Sequence, residues 1–208
     1  MGYYIRVLGK SDVSIPISTL EHRLETEGIG AKFEITKGDN ESWTEVEMLH
    51  TDPTAPPDGI IALIERNTVS PGSLAKDELD EFSEEVEECK PESATKWLKK
   101  FFPQVKVIYC FQIIHHGAEW GNGWQAIHTI DEEIWKTLGG IFQADGEGFS
   151  NEDGYHILWQ FSENVKGSWQ MAVLDTDNRW IPFEMDLGNK KQREAFLEGK
   201  VPPGAKRL

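Results

Sequence analysis

Two apolar segments constrain the fold of this chain more than any other feature. Residues 60–66 read IIALIER, and residues 105–114 read VKVIYCFQII. Both are apolar on their two alternating faces, which is typical of strands buried inside a sheet. Residues 31–36 alternate apolar and polar positions instead, and this period predicts a half-buried strand. The chain is therefore expected to fold around a sheet whose central strands are covered on both sides.

Further strands are predicted on either side of these segments. Residues 3–9 form the first, and residues 155–161, 168–175 and 179–185 form the last three. The sequence DTDN joins the final two strands and is typical of a hairpin turn.

Five helices are predicted between or after the strands. Ser18 and Glu21 form a capping-box pattern at the start of the first helix, and Thr129 and Glu132 form a second such pattern. Gly28 and Gly139 are expected to end these two helices. The other helices are an amphipathic one within residues 71–90, with Leu79, Phe82, Val86 and Cys89 as its apolar stripe, and two short ones over 92–102 and 190–199.

The two capping patterns lie at one constant sequence offset, which also relates Gly28 to Gly139. This regularity predicts an internal repeat. We therefore predict an α+β fold, mainly antiparallel, with helices on one face and two similar βαβββ-like halves joined by a helical segment. The predicted parts are residues 1–66, the helical connector 67–104, residues 105–189, and a C-terminal helix and tail over 190–208, within one compact domain or more than one.

The formal net charge of −15 narrows the choice of partners. A strongly acidic chain repels the phosphates of nucleic acids and of anionic membranes, whereas it attracts a basic protein. The two cysteines form no CxxC motif and no disulfide framework, and the N-terminus shows no signal-peptide pattern. These features predict a cytoplasmic protein that binds neither nucleic acid nor membrane; the sequence does not indicate its oligomeric state.

Familiar catalytic motifs are missing from the sequence. It contains no GxSxG elbow, no complete P-loop, no GxGxxG fingerprint and no HExxH pair. The acidic loop over 145–156 does not match the EF-hand pattern, because Phe149 stands where that pattern needs Asp or Asn. A hydrated turn is the simpler interpretation of this loop, and an ion site is the alternative.

Partner binding is the first functional hypothesis. The amphipathic helix carries a dense row of acids that could dock a basic protein, and a solvated helix face is the simpler interpretation. Two tryptophans flanking the sequence GNG are candidate anchors, unless they fold onto their own sheet. The candidate partner-binding residues are Asp77, Glu78, Glu81, Glu84, Glu85, Glu88, Trp120 and Trp124. This hypothesis describes a non-enzymatic, inhibitor-like or immunity-like protein without a cofactor.

A metal-dependent enzyme is the second hypothesis. The repeated βαβββ order resembles the vicinal-oxygen-chelate architecture of glyoxalases and dioxygenases, in topology alone. That resemblance implies a divalent metal held by the first and last strands of each unit, and the matching candidates here are His115, His116, Glu65 and Glu184. The first strand departs from the family pattern, because it offers Tyr3, Tyr4 and Arg6 in place of His or Gln. A hydrogen-bonded structural role is the other interpretation of the histidines.

Overall fold

A computed structural model describes residues 2–56 and 58–208 of the chain. Six helices and ten strands are assigned within these residues. In chain order they are β1 Tyr3–Gly9, α1 Ile17–Thr26, β2 Ala31–Lys37, β3 Glu45–His50, β4 Ile60–Thr68, α2 Leu74–Glu85, α3 Glu92–Phe101, β5 Val107–Ile113, α4 His115–Ala118, α5 Gly123–Leu138, β6 Gly140–Ala144, β7 Gly148–Phe149, β8 Ser168–Leu174, β9 Trp180–Asp186, α6 Lys190–Leu197 and β10 Lys206–Arg207.

The chain divides into two compact units, and each combines two separate stretches of sequence. Unit 1 contains the residues up to Ala75 together with Val105–Gly140, and unit 2 contains Lys76–Gln104 together with Ile141–Leu208. The predicted division at residues 66, 104 and 189 stays a prediction. The predicted α+β class is confirmed, because the six helices assigned within the described residues accompany sheets that are mainly antiparallel.

Unit 1 is built on five antiparallel strands in the order β2-β3-β4-β5-β1. The predicted central strand is confirmed, since Val107, Ile108 and Tyr109 are consecutive and all fully buried. Helices α1 and α5 pack against each other, α1 also packs against β2, and α5 also packs against β1 and β4. Because neighbouring residues of a strand point to opposite faces, the burial of these three shows that β5 is covered on both faces.

Unit 2 contains α2, α3 and α6 together with two small antiparallel elements. Strands β6 and β7 form a short hairpin, and β8, β9 and β10 form a sheet in the order β10-β9-β8. The DTDN hairpin between β8 and β9 is confirmed, and Asn178 takes its left-handed position with φ of 58°. The core beside this sheet consists of Phe161, Met171, Val173, Phe183, Met185, Leu187 and Phe196.

The predicted strand over 155–161 is wrong, and the two-half repeat is not confirmed. Only isolated bridges at His156 interrupt an otherwise irregular segment there. Residues 156–158 are all buried, so the segment does not alternate between two faces as a sheet-surface strand does. The first half shows the predicted order β1-α1-β2-β3-β4, whereas in the second half β8 and β9 belong to a separate sheet.

Neither predicted capping box caps a helix. Helix α5 begins at Gly123, so Thr129 lies in its interior and is buried. At α1 the residue preceding the helix is Pro16, whose side chain makes no capping hydrogen bond. The free N–H groups of the first turn are satisfied by the β2–β3 loop instead, because Asn40 accepts from Ser18 N at 2.9 Å through its side chain. The helix ends at Gly28 and Gly139 are confirmed, with φ of 68° and 59°.

We expect Asn40→Ala to lower the free energy of unfolding by about 1 kcal/mol, because the first turn of α1 loses its side-chain acceptor. Asn40→Asp keeps an oxygen at the same place and should cost less than half as much. Urea denaturation of the two variants and the wild type measures this difference. Equal losses in both variants would show that the Asn40 contact does not act as a cap.

Helices long and apolar enough to cross a membrane are not found among the described residues.

Candidate functional site: an acidic helix face

Helix α2 carries the densest concentration of charge in unit 2. Its buried side includes Leu79 and Phe82, and Val86 continues that side in the 3₁₀ turn that follows. The Phe82 ring meets the Phe149 ring edge-on at 5.4 Å and lies 6.5 Å from the Phe102 ring. These contacts fix which face of the helix is turned inward, as the amphipathic pattern predicted.

Four exposed carboxylates lie on the outward side, three of them on α2 and the fourth in the 3₁₀ turn that follows it. They are Asp77, Glu81, Glu84 and Glu88, and we call them the carboxylate stripe. Their spacing of four, three and four residues places them on one face at 3.6 residues per turn, opposite the buried side. The stripe is about 16 Å long, because each helical residue advances by about 1.5 Å.

The carboxylate stripe has no cationic partner among residues 2–56 and 58–208. Two neighbouring acids do have partners, since Asp80 pairs with Lys76 and Glu87 pairs with Lys99. No such ion pair joins the four members of the stripe to a lysine, arginine or histidine of the described chain. Their negative charges are therefore available to a partner, and at about 0.15 M salt they are felt over about 8 Å.

The other two predicted partner-binding acids are less available. Glu85 accepts a hydrogen bond from Gln160 Nε2 at 2.8 Å, and Glu78 is half-buried. Glu85 also lines a cleft of about 520 Å³ within unit 2, together with Phe82, Cys89, Gln143, Asp145, Gly146, Trp159 and Gln160.

Cys89 is a thiol and not a thiolate in this cleft. Burial raises its pKa, and the nearby Glu85 carboxylate raises it further. Because the thiolate is the nucleophilic form, this environment does not activate the sulfur. Both cysteines, Cys89 and Cys110, are half-buried thiols.

The two candidate tryptophans lie in unit 1 and pack against their own unit. The Trp120 ring meets the buried His50 ring edge-on at 4.8 Å. Trp124 lies in the first turn of α5, where it stacks on His128 at 5.9 Å and meets the Tyr3 ring at 6.4 Å. Both indoles are half-buried, so packing accounts for much of their surface. Their role as partner anchors stays a prediction.

The four predicted metal ligands do not form a cluster. His115 and His116 do not end a strand as expected, because β5 stops at Ile113 and both lie on the short helix α4. His116 bonds to the Asp58 carboxylate at 2.9 Å, and His115 stacks on Tyr3 at 6.3 Å. Glu184 belongs to unit 2, where it accepts from Ser168 Oγ and lies 3.7 Å from Lys206 Nζ.

Glu65 is exposed on β4 in unit 1. Within the described chain, no group of three or more His, Cys, Asp or Glu residues is placed to hold a metal ion. The acidic loop over 145–156 is organised as a turn, since Asn151 Oδ1 accepts from the backbone N–H groups of Asp153 and Tyr155. This arrangement matches the simpler interpretation of that loop.

His156 is a buried histidine that the sequence did not distinguish from the others. Its ring lies 5.2 Å from the Phe161 ring and 5.8 Å from the Trp169 ring. Its Nε2 is buried without a hydrogen-bond partner in the described part of the chain. Burial lowers the pKa of His156 to about 4, against a small opposing effect of a backbone hydrogen bond to Glu147. The imidazole is therefore neutral at physiological pH.

Comparisons with known proteins identify no family for this chain. No protein-family model matches the chain, and no curated protein or solved structure matches it. The chain is thus an α+β protein with antiparallel sheets and an acidic helix face.

Proposed function

We propose that this protein is a non-enzymatic, inhibitor-like interaction protein that binds a basic protein partner through the carboxylate stripe on α2. The observation that supports the proposal is that Asp77, Glu81, Glu84 and Glu88 face outward and form no ion pair within the described residues. An internal ion pair would have to be broken before a partner could bind, and residues 2–56 and 58–208 supply none to these four carboxylates.

The electrostatics of the whole chain support the same function. A net charge of −15 attracts a basic partner from a distance and speeds the encounter, and it repels nucleic acids and anionic membranes. The stripe then sets where the partner docks, because its charges stand in one row on a helix whose other side is anchored in the core. Cys89 and Cys110 are present as thiols, which agrees with the reducing environment of the cytoplasm, the location that we infer.

We expect neutralisation of the stripe to weaken binding of a basic probe roughly tenfold, since exposed ion pairs contribute about 0.2–1 kcal/mol each. The variant carries Asp77→Asn, Glu81→Gln, Glu84→Gln and Glu88→Gln. The probe is a synthetic arginine-rich helical peptide, and its affinity is measured by fluorescence anisotropy at about 50 mM and about 300 mM NaCl. The affinity of the wild type should fall more steeply with salt than that of the variant.

A matched control separates the stripe from net charge. Four exposed glutamates outside α2 are changed to glutamine, which raises the net charge by the same amount: Glu25, Glu119, Glu163 and Glu194. We expect this control to change the affinity less than about threefold, because its charges are scattered. Equal losses in the two variants would show that only the overall charge acts, and this outcome would contradict the proposed docking face.

A further inference from the structure

Unit 2 contains a large open cavity lined by four lysines and three carboxylates, in a chain that is strongly acidic overall. Its volume is about 1050 Å³, which exceeds the 300–1,000 Å³ typical of small-molecule sites. It lies between α3, the β8–β9 turn and the residues that follow α6. The lining residues are Lys90, Pro91, Glu92, Ser93, Lys96, Trp97, Lys100, Leu174, Asp175, Asn178, Leu197, Glu198, Gly199 and Lys200.

Four lysines line this cavity in a protein with far more acids than bases. Lys96 and Lys100 are one turn apart on the same face of α3, and both line the cavity. Lys90 and Lys200 approach from the segments that flank α3 and α6. Lys100 has no ion-pair partner within residues 2–56 and 58–208, so its charge is not neutralised there.

The three carboxylates on the cavity wall are already bound. Glu92 lies 2.8 Å from Lys90 Nζ, and Glu198 lies 2.8 Å from Lys200 Nζ. Asp175 accepts two hydrogen bonds from the Arg179 guanidinium at 3.1 and 3.0 Å, and two from backbone N–H groups of the hairpin. These hydrogen bonds lower the pKa of Asp175, so it stays ionised and held by the turn. Glu92 also lies 3.9 Å from Lys96 Nζ, so within the described chain the wall carboxylates pair with three of the four lysines, and Lys100 is the one whose charge is left to attract an anion.

An indole forms part of the same wall. Trp97 lies between Lys96 and Lys100 on α3 and is half-buried. Its ring is stacked on Phe101 at 5.2 Å with an interplanar angle of 20°, and the Trp180 ring meets it edge-on at 5.4 Å. These contacts hold the indole in one orientation, and the surface they leave uncovered lines the cavity. A fixed aromatic surface of this kind stacks with planar rings.

We propose that this cavity binds a small polyanion that carries a planar ring, the chemistry of a nucleoside polyphosphate. The lysines contact the phosphate groups, and the Trp97 indole stacks against the ring. The uncapped first turn of α3 adds partial positive charge, because Pro91 supplies no side-chain acceptor to its N–H groups. This ligand site is separate from the proposed docking face, and it involves none of the four carboxylates of the stripe.

The test compares three small ligands on the full chain. ATP carries both phosphates and a ring, inorganic triphosphate carries only the phosphates, and adenosine carries only the ring. We expect isothermal titration to give ATP at least tenfold tighter binding than either part, since stacking and charge both contribute. Backbone NMR signals of residues 93–100 should shift on ATP addition. Triphosphate binding as tightly as ATP, or no shifts at about 5 mM ATP, would overturn the proposal.

Substitutions of cavity residues test whether ATP binds at this cavity. We expect the double variant Lys96→Met, Lys100→Met to bind ATP roughly tenfold more weakly than the wild type. The control pair Lys190→Met with Lys191→Met removes the same charge from exposed positions of α6 outside the cavity wall, and should leave the affinity within about threefold. Trp97→Phe should lower the affinity for ATP and leave the affinity for triphosphate unchanged. If that variant does not fold, the difference between the ATP and triphosphate affinities of the wild type decides whether the ring contributes.

A peptide partner is the competing outcome. A hexaglutamate peptide that binds at the cavity more tightly than ATP would show that the lysines serve an acidic protein segment, and this result would overturn the small-ligand proposal. If the cavity pair and the control pair lower the ATP affinity equally, the proposal is also overturned, because the loss would then reflect the overall charge of the protein and not the cavity. None of these outcomes depends on whether a basic protein binds α2.

Discussion

Replacing Gly117 with alanine is expected to lower the free energy of unfolding by roughly 3 kcal/mol or more. A Cβ atom at this position would lie 1.9 Å from the Ile60 carbonyl oxygen and 2.8 Å from its carbon. Both are backbone atoms at the start of β4, so they cannot rotate away as a side chain can. Displacing α4 would also disturb the 2.8 Å hydrogen bond between His50 Nε2 and the Gly117 carbonyl.

Gly30→Ala is the matched control for this substitution. A Cβ atom there would meet only the Thr51 hydroxyl at 3.1 Å, and that hydroxyl can rotate. We expect a loss of less than about 1 kcal/mol for the control. Urea denaturation of both variants measures the difference. Similar small losses would show that α4 can shift freely against β4.

Acid is expected to destabilise the protein through His156 by about 3 kcal/mol between pH 6.5 and pH 4. The pKa of this imidazole is about 4 in the folded protein, below its ordinary value of 6.5. As the pH falls from 6.5 towards 4, the unfolded chain therefore binds a proton that the folded chain does not. This proton uptake favours unfolding, so the loss is absent above pH 6.5 and complete below pH 4.

The variant His156→Gln removes the titrating group and keeps a polar side chain of similar size. Urea denaturation is carried out on the wild type and the variant at several pH values from about 7 to about 4. We expect the difference in unfolding free energy between them to change by about 3 kcal/mol over this range. His22→Gln, at an exposed position on α1, should retain the wild-type pH dependence. If the difference in unfolding free energy between the wild type and His156→Gln does not change with pH, the imidazole is not excluded from water.

The elements predicted most accurately are those whose burial follows a simple period. Strand β5 is apolar on both faces and is buried on both. Of the predicted apolar face of the amphipathic helix, Leu79, Phe82 and Val86 are buried, whereas Cys89 is half-buried. Prediction failed where residues follow no period, as in the segment 155–161. There the backbone is irregular, and the Trp159 indole donates to the Phe161 carbonyl at 3.2 Å.

The candidate sites show the same contrast. The acids of α2 are contiguous in sequence, so their shared face could be predicted from helix geometry alone. The lysine cavity could not, because Lys96 and Lys100 join Lys200 only through the packing of α3 beside α6 and the β8–β9 turn. The one local sign was the spacing of Lys96, Trp97 and Lys100 on a single helix face, and that pattern is common on exposed helices.

By itself, the sequence determined the α+β class, the strand and helix faces of most elements, and the acidic character of α2. Only the tertiary structure decided that Asn40 caps α1, that Gly117 lies against the Ile60 carbonyl and that His156 is buried without a partner for Nε2 in the described chain. The physical reason is that periodicity reports how an element divides into inner and outer faces. Caps, close backbone approaches and buried titrating groups depend instead on which distant residues are brought into contact.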